Sequence, residues 1–207
     1  MKISSLIVLP AILLLSVSAF ADSFKQINRV VDASTLESVK LEISVGELDI
    51  EVYDGDEIQL EIDIEAQRSW WSFRRGNVDD IELEIVGSGS HVYLGIDERN
   101  IEQHWRVMMP AKLALEIEVG VGEIHIEEFT NSLDMEVGVG SVRVDVADTD
   151  YELIHVAVGV GDAEIRGFAN RADNERNFIS ADAYYHGEGE LKIEIEVGVG
   201  DVEVRNN

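Results

Sequence analysis

A Val-Gly-Val-Gly string that recurs about every twenty residues constrains the fold of this chain more than any other feature. The string starts at Val119, Val137, Val158 and Val197. Its first glycines lie 18, 21 and 39 residues apart. Because the last spacing is close to two periods, it predicts one more repeat hidden between Gly161 and Gly200. A repeat of this length is typical of solenoid proteins.

Each repeat has the alternation of a β-strand. From Leu115 to Val121, apolar residues alternate with glutamate or glycine, and a period of two indicates an extended chain. Val121 and Ile124 are both apolar but three positions apart, so a flat strand would send them to opposite faces. The chain must therefore bend at the glycine between them, where a bend costs least. The equivalent corner glycines are Gly46, Gly122, Gly140, Gly161 and Gly200.

These units predict an all-β fold. Stacking them would bury the inward Val, Ile and Leu of neighbouring coils. We expect residues 22–207 to form a single-domain β-solenoid, a short parallel β-helix of about seven coils. The segment from Phe24 to Val31 fits an N-terminal cap or a first strand equally well.

Aligning the units places outward side chains in rows across the coils. The first-strand rows are mostly acidic: Glu116, Asp134, His155 and Glu194, then Glu118, Glu136, Ala157 and Glu196. The second-strand rows mix charges: His125, Arg143, Glu164 and Glu203, then Glu127, Asp145, Arg166 and Arg205. Like charges about 4.8 Å apart repel by roughly 1 kcal/mol in water.

A divalent cation would relieve this repulsion, which leaves two interpretations of the acidic rows. Calcium could bind weakly at many points along carboxylates on adjacent coils, since it prefers oxygen ligands. The six candidate ligands are Glu116, Glu118, Asp134, Glu136, Glu194 and Glu196. Alternatively, the rows form a solubilising face that discourages association. We expect no other metal or cofactor.

Composition excludes several classes of protein. The chain has 16 Lys plus Arg against 42 Asp plus Glu, and a net charge of −26. This charge excludes binding to a phosphate backbone, which needs clustered basic residues. An apolar fraction of 45% is too high for a disordered acidic tail. With no cysteine, the chain has neither disulfides nor thiolate metal sites.

The N-terminus resembles an export signal. Lys2 is followed by an apolar run over residues 3–17 and by Ala19-Phe20-Ala21, a small-x-small cleavage site. We expect cleavage after Ala21, with an uncleaved anchor as the alternative. No later stretch is apolar for long enough to span a bilayer. The mature protein is therefore expected in the periplasm or outside the cell, without an integral membrane segment.

The stretch from Trp105 to Pro110, followed by the alternating residues 113–117 and the Val-Gly units, resembles the bacterial "putative adhesin" β-solenoid domains. The family is one of unknown function, and the likeness extends from Val39 to Val204. It implies an exported single-domain β-helix without established catalytic residues. Two segments depart from the pattern: residues 66–77 and residues 167–189.

Both departing segments are candidate recognition loops. The first holds a basic aromatic cluster, formed by Arg68, Trp70, Trp71, Phe73, Arg74 and Arg75. Its rings and guanidinium groups could stack on a sugar or contact a protein partner. Alternatively, the loop covers an open side of the solenoid, with its rings buried. Residues 167–189 are polar and read as a long irregular insertion between coils.

Signals for an enzyme are poor. Ser90 and His91 adjoin, but neighbours in a strand point apart, and there is no Gly-x-Ser-x-Gly elbow. Residues 102–104 lack the spacing of a zinc protease. We therefore expect a non-catalytic binding or scaffold module of the cell envelope, with a protein or glycan partner. The alternatives are an envelope-stress or sensing accessory that docks on a membrane protein, and a small carbohydrate-active β-helix enzyme.

Overall fold

The computed structural model describes residues 24–66, 78–98, 100–147, 150–168, 173–176 and 180–206. The predicted signal peptide, residues 1–21, lies outside these ranges. Within them the chain is all-β and contains no helix. It follows that no described helix has the length and apolar character needed to cross a membrane.

Twelve strands form one sheet with both parallel and antiparallel pairs. In chain order they are β1 (Phe24–Asp32), β2 (Ser38–Tyr53), β3 (Glu57–Ala66), β4 (Glu84–Ser88), β5 (His91–Gly95), β6 (Ile101–Pro110), β7 (Ala114–Phe129), β8 (Leu133–Val146), β9 (Tyr151–Arg166), β10 (Asp173–Arg176), β11 (Ala181–His186) and β12 (Leu191–Asn206). The main path runs β1-β3-β6-β2-β7-β8-β12-β9-β11-β10. The segment from Phe24 onward is thus a strand, not a cap without strand structure.

Five long strands, β2, β7, β8, β12 and β9, lie side by side, parallel and in register. Their buried positions change parity across the glycines, from Leu115, Ile117 and Val119 to Ile124 and Ile126. The corner glycines form one row in the order Gly46, Gly122, Gly140, Gly200, Gly161. The predicted strands, and the change of direction at each glycine, are therefore present.

On the side of β2 away from β7, two shorter strands share the parallel pairing. β5 pairs with the first half of β2, with Val92 beside Val39, whereas β6 pairs with the second half, with Trp105 beside Leu48. Residues 96–100 separate these two strands. Beyond them the pairing is antiparallel, through β4 on one side and through β3 and β1 on the other.

The described residues between Gly161 and Gly200 do not form the expected additional repeat. Residues 173–186 instead hold β10 and β11, which pair with each other antiparallel, and β11 pairs antiparallel with β9. The departing segment 167–189 is therefore partly strand. β12 inserts between β8 and β9 and pairs parallel with both. The 39-residue spacing arises because the chain adds an antiparallel pair outside β9 and then returns to the middle of the sheet.

A continuous apolar cluster runs the length of the sheet. Its largest fully buried side chains are those of Trp105, Tyr151 and Phe129. The buried amide of Gln103 accepts a hydrogen bond from Trp105 Nε1 at 2.9 Å. Because both halves of each long strand contribute to this cluster, the outward residues on either side of the glycine row are held on a rigid support.

Candidate binding surface

The surface around the corner glycines is shaped by how closely the strands approach there. One row of glycines precedes the corners, and we call these Gly120, Gly138, Gly198 and Gly159 the floor glycines. A Cβ atom at Gly198 would lie 2.6 Å from the carbonyl oxygen of Gly138, and one at Gly159 would lie 2.7 Å from that of Gly198. A Cβ at Gly200 would overlap the carbonyl oxygen of Gly140. Close backbone approach therefore requires glycine at both positions in β7, β8, β12 and β9, whereas β2 has Ser44 at the first position.

The floor glycines open a groove across the strands, here called the first groove, with a volume of about 890 Å³. Five carboxylate side chains line it, those of Glu42, Glu118, Glu136, Glu196 and Asp182. Among the described residues that line it, none is Lys or Arg. The first groove therefore has a glycine floor and a negative wall.

At the β11 end of the first groove, the lining residue Asp182 lies near a pair of stacked rings. The imidazole of His155 lies on the ring of Tyr184, with centroids 4.5 Å apart and planes 8° from parallel. Asp182 Oδ1 lies 4.0 Å from His155 Nε2. The stack thus joins β9 to β11 beside the groove.

Beside the first groove runs a row of exposed apolar side chains. Each floor glycine is followed by a valine that is 45–46% exposed; together these form the valine ridge, Val121, Val139, Val199 and Val160. They lie in register on adjacent strands. The alternation from Leu115 to Val121 predicts that Val121 faces inward with Val119, and this is wrong, because the corner turns Val121 outward. The parity break between Val121 and Ile124 was the signal that could have revealed the ridge.

Beyond the ridge a second groove, of about 600 Å³, crosses the other half of the strands. The row of residues that directly follows the corner glycines is acidic except for one serine: Glu47, Glu123, Ser141, Asp201 and Asp162. Two residues further along the strands, Arg143 Nε lies 3.3 Å from Glu203 Oε2. Arg166 forms an ion pair with Glu164 and lowers the pKa of that carboxyl group. The ridge thus has carboxylates on both sides.

The structure places the six candidate calcium ligands in two adjacent rows. Across the strands the first row runs Glu116, Asp134, Glu194, His155, and the second runs Glu118, Glu136, Glu196, Ala157. The members of each row match the sequence alignment, but their order differs because β12 lies between β8 and β9. Lys40 extends the first row and lies 2.7 Å from Glu116 Oε1 and 2.5 Å from Glu118 Oε1. These carboxylates raise the pKa of the Lys40 ammonium group. In the described part of the chain, no three acidic or histidine side chains are grouped closely enough to hold a metal ion.

One residue of the predicted outward rows is buried. Asp145 is only 7% exposed. Arg205 on β12 hydrogen-bonds both of its carboxylate oxygens, and the Nη2–Oδ2 distance is 2.8 Å. His125 Nε2 lies 3.5 Å from Oδ2. Asp145 is therefore a buried ion-pair residue, because the guanidinium group of the neighbouring strand covers it.

The basic aromatic cluster, Arg68, Trp70, Trp71, Phe73, Arg74 and Arg75, lies outside the described residues.

Ser90 and His91, the adjacent pair considered as a possible catalytic pair, hydrogen-bond different residues. His91 Nδ1 hydrogen-bonds the Ser38 hydroxyl at 2.6 Å, and Ser90 Oγ donates to Glu37 at 2.9 Å. Ser90 and His91 thus face different partners, as expected for neighbours in an extended chain.

Residues 20–166 match the family described as the N-terminal domain of toast_rack, DUF2154. The chain belongs to this family. The toast_rack match covers β1 to β9, so β12, which fills the middle of the sheet, lies beyond it. The resemblance drawn from the Val-Gly units, to a family of unknown function, is thereby confirmed.

This chain is also similar to solved structures. A crystal structure titled a "putative cell adhesion protein", from Clostridium sporogenes, is 15% identical, with a TM-score of 0.49, and the match covers 89% of this chain and 100% of that one. A "putative adhesin" from Bacteroides fragilis is 14% identical, with a TM-score of 0.37, covering 88% and 97%. No curated protein matches the toast_rack chain in sequence.

Proposed function

We propose that this protein is an exported, non-catalytic binding or scaffold module of the cell envelope, adhesin-like in working through a contact surface. The valine ridge is the observation that carries this function. Four neighbouring strands each leave nearly half of a valine side chain in solvent, in one line. Exposed apolar patches rimmed by polar residues commonly mark interaction sites.

We further propose that the support for this surface is a β-solenoid. Six parallel rungs stack through β5 with β6, β2, β7, β8, β12 and β9, one fewer than the seven coils expected from the sequence. β7 and β8 are adjacent in the sheet with only residues 130–132 between them in the sequence, and at this connection Leu115 N donates to Ser132 O at 3.0 Å. In this description the antiparallel strands β1, β3, β4, β10 and β11 cap the two ends.

Location in the periplasm or outside the cell follows from the N-terminal sequence. Residues 1–21 have the charge, apolar run and cleavage site of a signal peptide. After cleavage, a protein or glycan at the envelope would meet the ridge and both grooves. Cell fractionation, with N-terminal sequencing of the mature protein, tests cleavage after Ala21.

Photocrosslinking in living cells tests the binding function. A benzophenone amino acid at Val139 lies on the ridge, and one at Val30, which is 61% exposed on β1, is the matched control. We expect discrete adducts from position 139 and none of the same mass from position 30. A single integral membrane protein in the adduct would favour the sensing accessory. Oligosaccharide released from envelope polysaccharide by the purified protein would favour the carbohydrate-active enzyme and contradict a non-catalytic role.

A further inference from the structure

Building on the proposed binding function, we infer that the valine ridge docks a cationic polypeptide segment of another protein, whose apolar side chains cover the valines and whose Lys or Arg side chains reach the carboxylates on either side. The ridge supplies the apolar contact. Four valines on strands about 4.8 Å apart give a strip roughly 15 Å long. This is enough length for several residues of an extended segment, which rises about 3.3 Å per residue.

The flanking charge decides the class of partner. On the first-groove side, Glu136 and Glu196 are exposed, and no ion pair or hydrogen bond within the described residues involves either side chain. Glu118, next in that row, contacts Lys40. On the second-groove side, Glu123 and Asp201 follow the ridge. A partner with basic side chains spaced on both sides of an apolar strip would satisfy these charges.

The same arrangement disfavours other occupants. A second copy of this chain would bring equal rows of carboxylates together, each copy with a net charge of −26. A metal ion would need grouped ligands, which the described residues do not provide. A simple polycation would be attracted to the acids but would leave the valines in water. The polypeptide is the occupant that uses both the ridge and the charge.

Peptide binding to the mature protein, residues 22–207, is the direct test. The lysine-leucine probe is a short fluorescent peptide that repeats one leucine and two lysines, because an extended segment with three residues per turn can direct leucine to the ridge and a lysine to each side. The comparison peptides are lysine-serine, with serine in place of leucine, and glutamate-leucine, with glutamate in place of lysine. We expect lysine-leucine to bind about tenfold more tightly than lysine-serine, since the leucines bury apolar surface on the valines. Glutamate-leucine should not bind. Raising the salt concentration should weaken, but not abolish, binding of lysine-leucine.

Variants locate the site. Val139→Thr with Val199→Thr keeps the β-branched shape and should reduce lysine-leucine binding about tenfold. Glu136→Gln with Glu196→Gln should weaken binding and flatten its salt dependence. The matched charge control is Glu65→Gln with Glu102→Gln, a cross-strand pair on β3 and β6, which should bind like the wild type. Because the glutamine variants remove like-charge repulsion, they keep the test informative if the threonine variant unfolds.

Equal binding of lysine-leucine and lysine-serine would overturn the inference, as would equal loss in the control variant. Absence of peptide binding, together with a crosslinked adduct at Val139, would overturn the cationic polypeptide but leave the binding function standing. Absence of both would overturn both. Self-association of the mature protein that Val139→Thr with Val199→Thr abolishes would assign the ridge to a second copy and contradict the inference.

Discussion

Arg205 and Asp145 form a two-pronged ion pair across neighbouring strands, in which Nε and Nη2 each donate to one carboxylate oxygen. β12 supplies the guanidinium group and β8 supplies the carboxylate. Hydrogen bonds from this arginine, followed by that from His125, lower the pKa of Asp145 and outweigh the opposing effect of burial. The pair thus fastens β12 to β8 near the end of both strands.

Replacing Asp145 tests how much this pair stabilises the sheet. We expect Asp145→Asn to lower the free energy of unfolding by about 1–3 kcal/mol at neutral pH, because hydrogen bonds to a charged group are lost at a buried site. Urea unfolding followed by circular dichroism measures the loss. Asp134→Asn makes the same change at an exposed carboxylate on the same strand and should not destabilise the protein. Equal losses in the two variants would refute the role of the pair.

The stabilising effect of Asp145 should disappear in acid. Its pKa is lower in the folded protein than its ordinary value of 3.8. The effect is therefore fully present above that value and is lost as the pH falls through the lower folded pKa. We expect the difference in unfolding free energy between wild type and Asp145→Asn to shrink below about pH 4. A difference that stays constant between pH 6 and pH 2 would contradict the assignment.

The corner glycines should tolerate no side chain. A Cβ at Gly200 would overlap the carbonyl oxygen of Gly140, and Gly200 has φ +152°. We expect Gly200→Ala to destabilise the protein by about 2–4 kcal/mol. Gly87→Ala on β4 is the control, since a Cβ there meets nothing within 4 Å. It should change stability by less than about 1 kcal/mol. A harmless Gly200→Ala would mean that the strands can separate at the corner.

The acidic rows should reduce stability at low ionic strength. Asp134 and Glu194 lie directly beside each other on β8 and β12, both exposed. We expect Glu194→Gln to raise the unfolding free energy by about 0.3–1 kcal/mol in dilute buffer, and by less in high salt, where screening removes the repulsion. Lys40→Met should have the opposite sign, since Lys40 contacts two glutamates. If Glu194→Gln lowers stability, the row is not a source of repulsion.

Calcium should act on the acidic rows as a screening ion. Since no described cluster of ligands could hold a metal ion, calcium and magnesium are expected to raise the melting temperature equally at equal ionic strength. Differential scanning fluorimetry with a chelator as the baseline makes the comparison. A larger shift with calcium, lost in Glu136→Gln with Glu196→Gln, would instead establish weak calcium binding by the rows.

The alternation of apolar and polar residues predicted the strands of this fold, but the order of the strands in the sheet depends on pairing between segments far apart in the sequence. The Leu115-to-Val121 alternation specified a strand, and the alignment of repeats specified that Glu116 lies beside Asp134. Nothing in the spacing, however, could say that Glu194 lies between Asp134 and His155, because strand order depends on which edges are free when the chain returns.

The candidate binding surface was harder to predict for a related reason. Val121 and Val119 have the same alternation in the sequence, yet the first is exposed and the second is buried. The corner decides between them, and its exact position depends on carbonyl contacts with the neighbouring strand at Gly122. Asp145 looks like the other acids of its row until Arg205, 60 residues later, covers it.

The insertion of β12 between β8 and β9 has a consequence for biogenesis. A growing polypeptide that has reached residue 166 has both flanking strands but not the one that joins them. The central ladder can be completed only when residues 191–206 emerge. Until then the nascent molecule cannot complete its native sheet, and this delay suits the export that we propose for it.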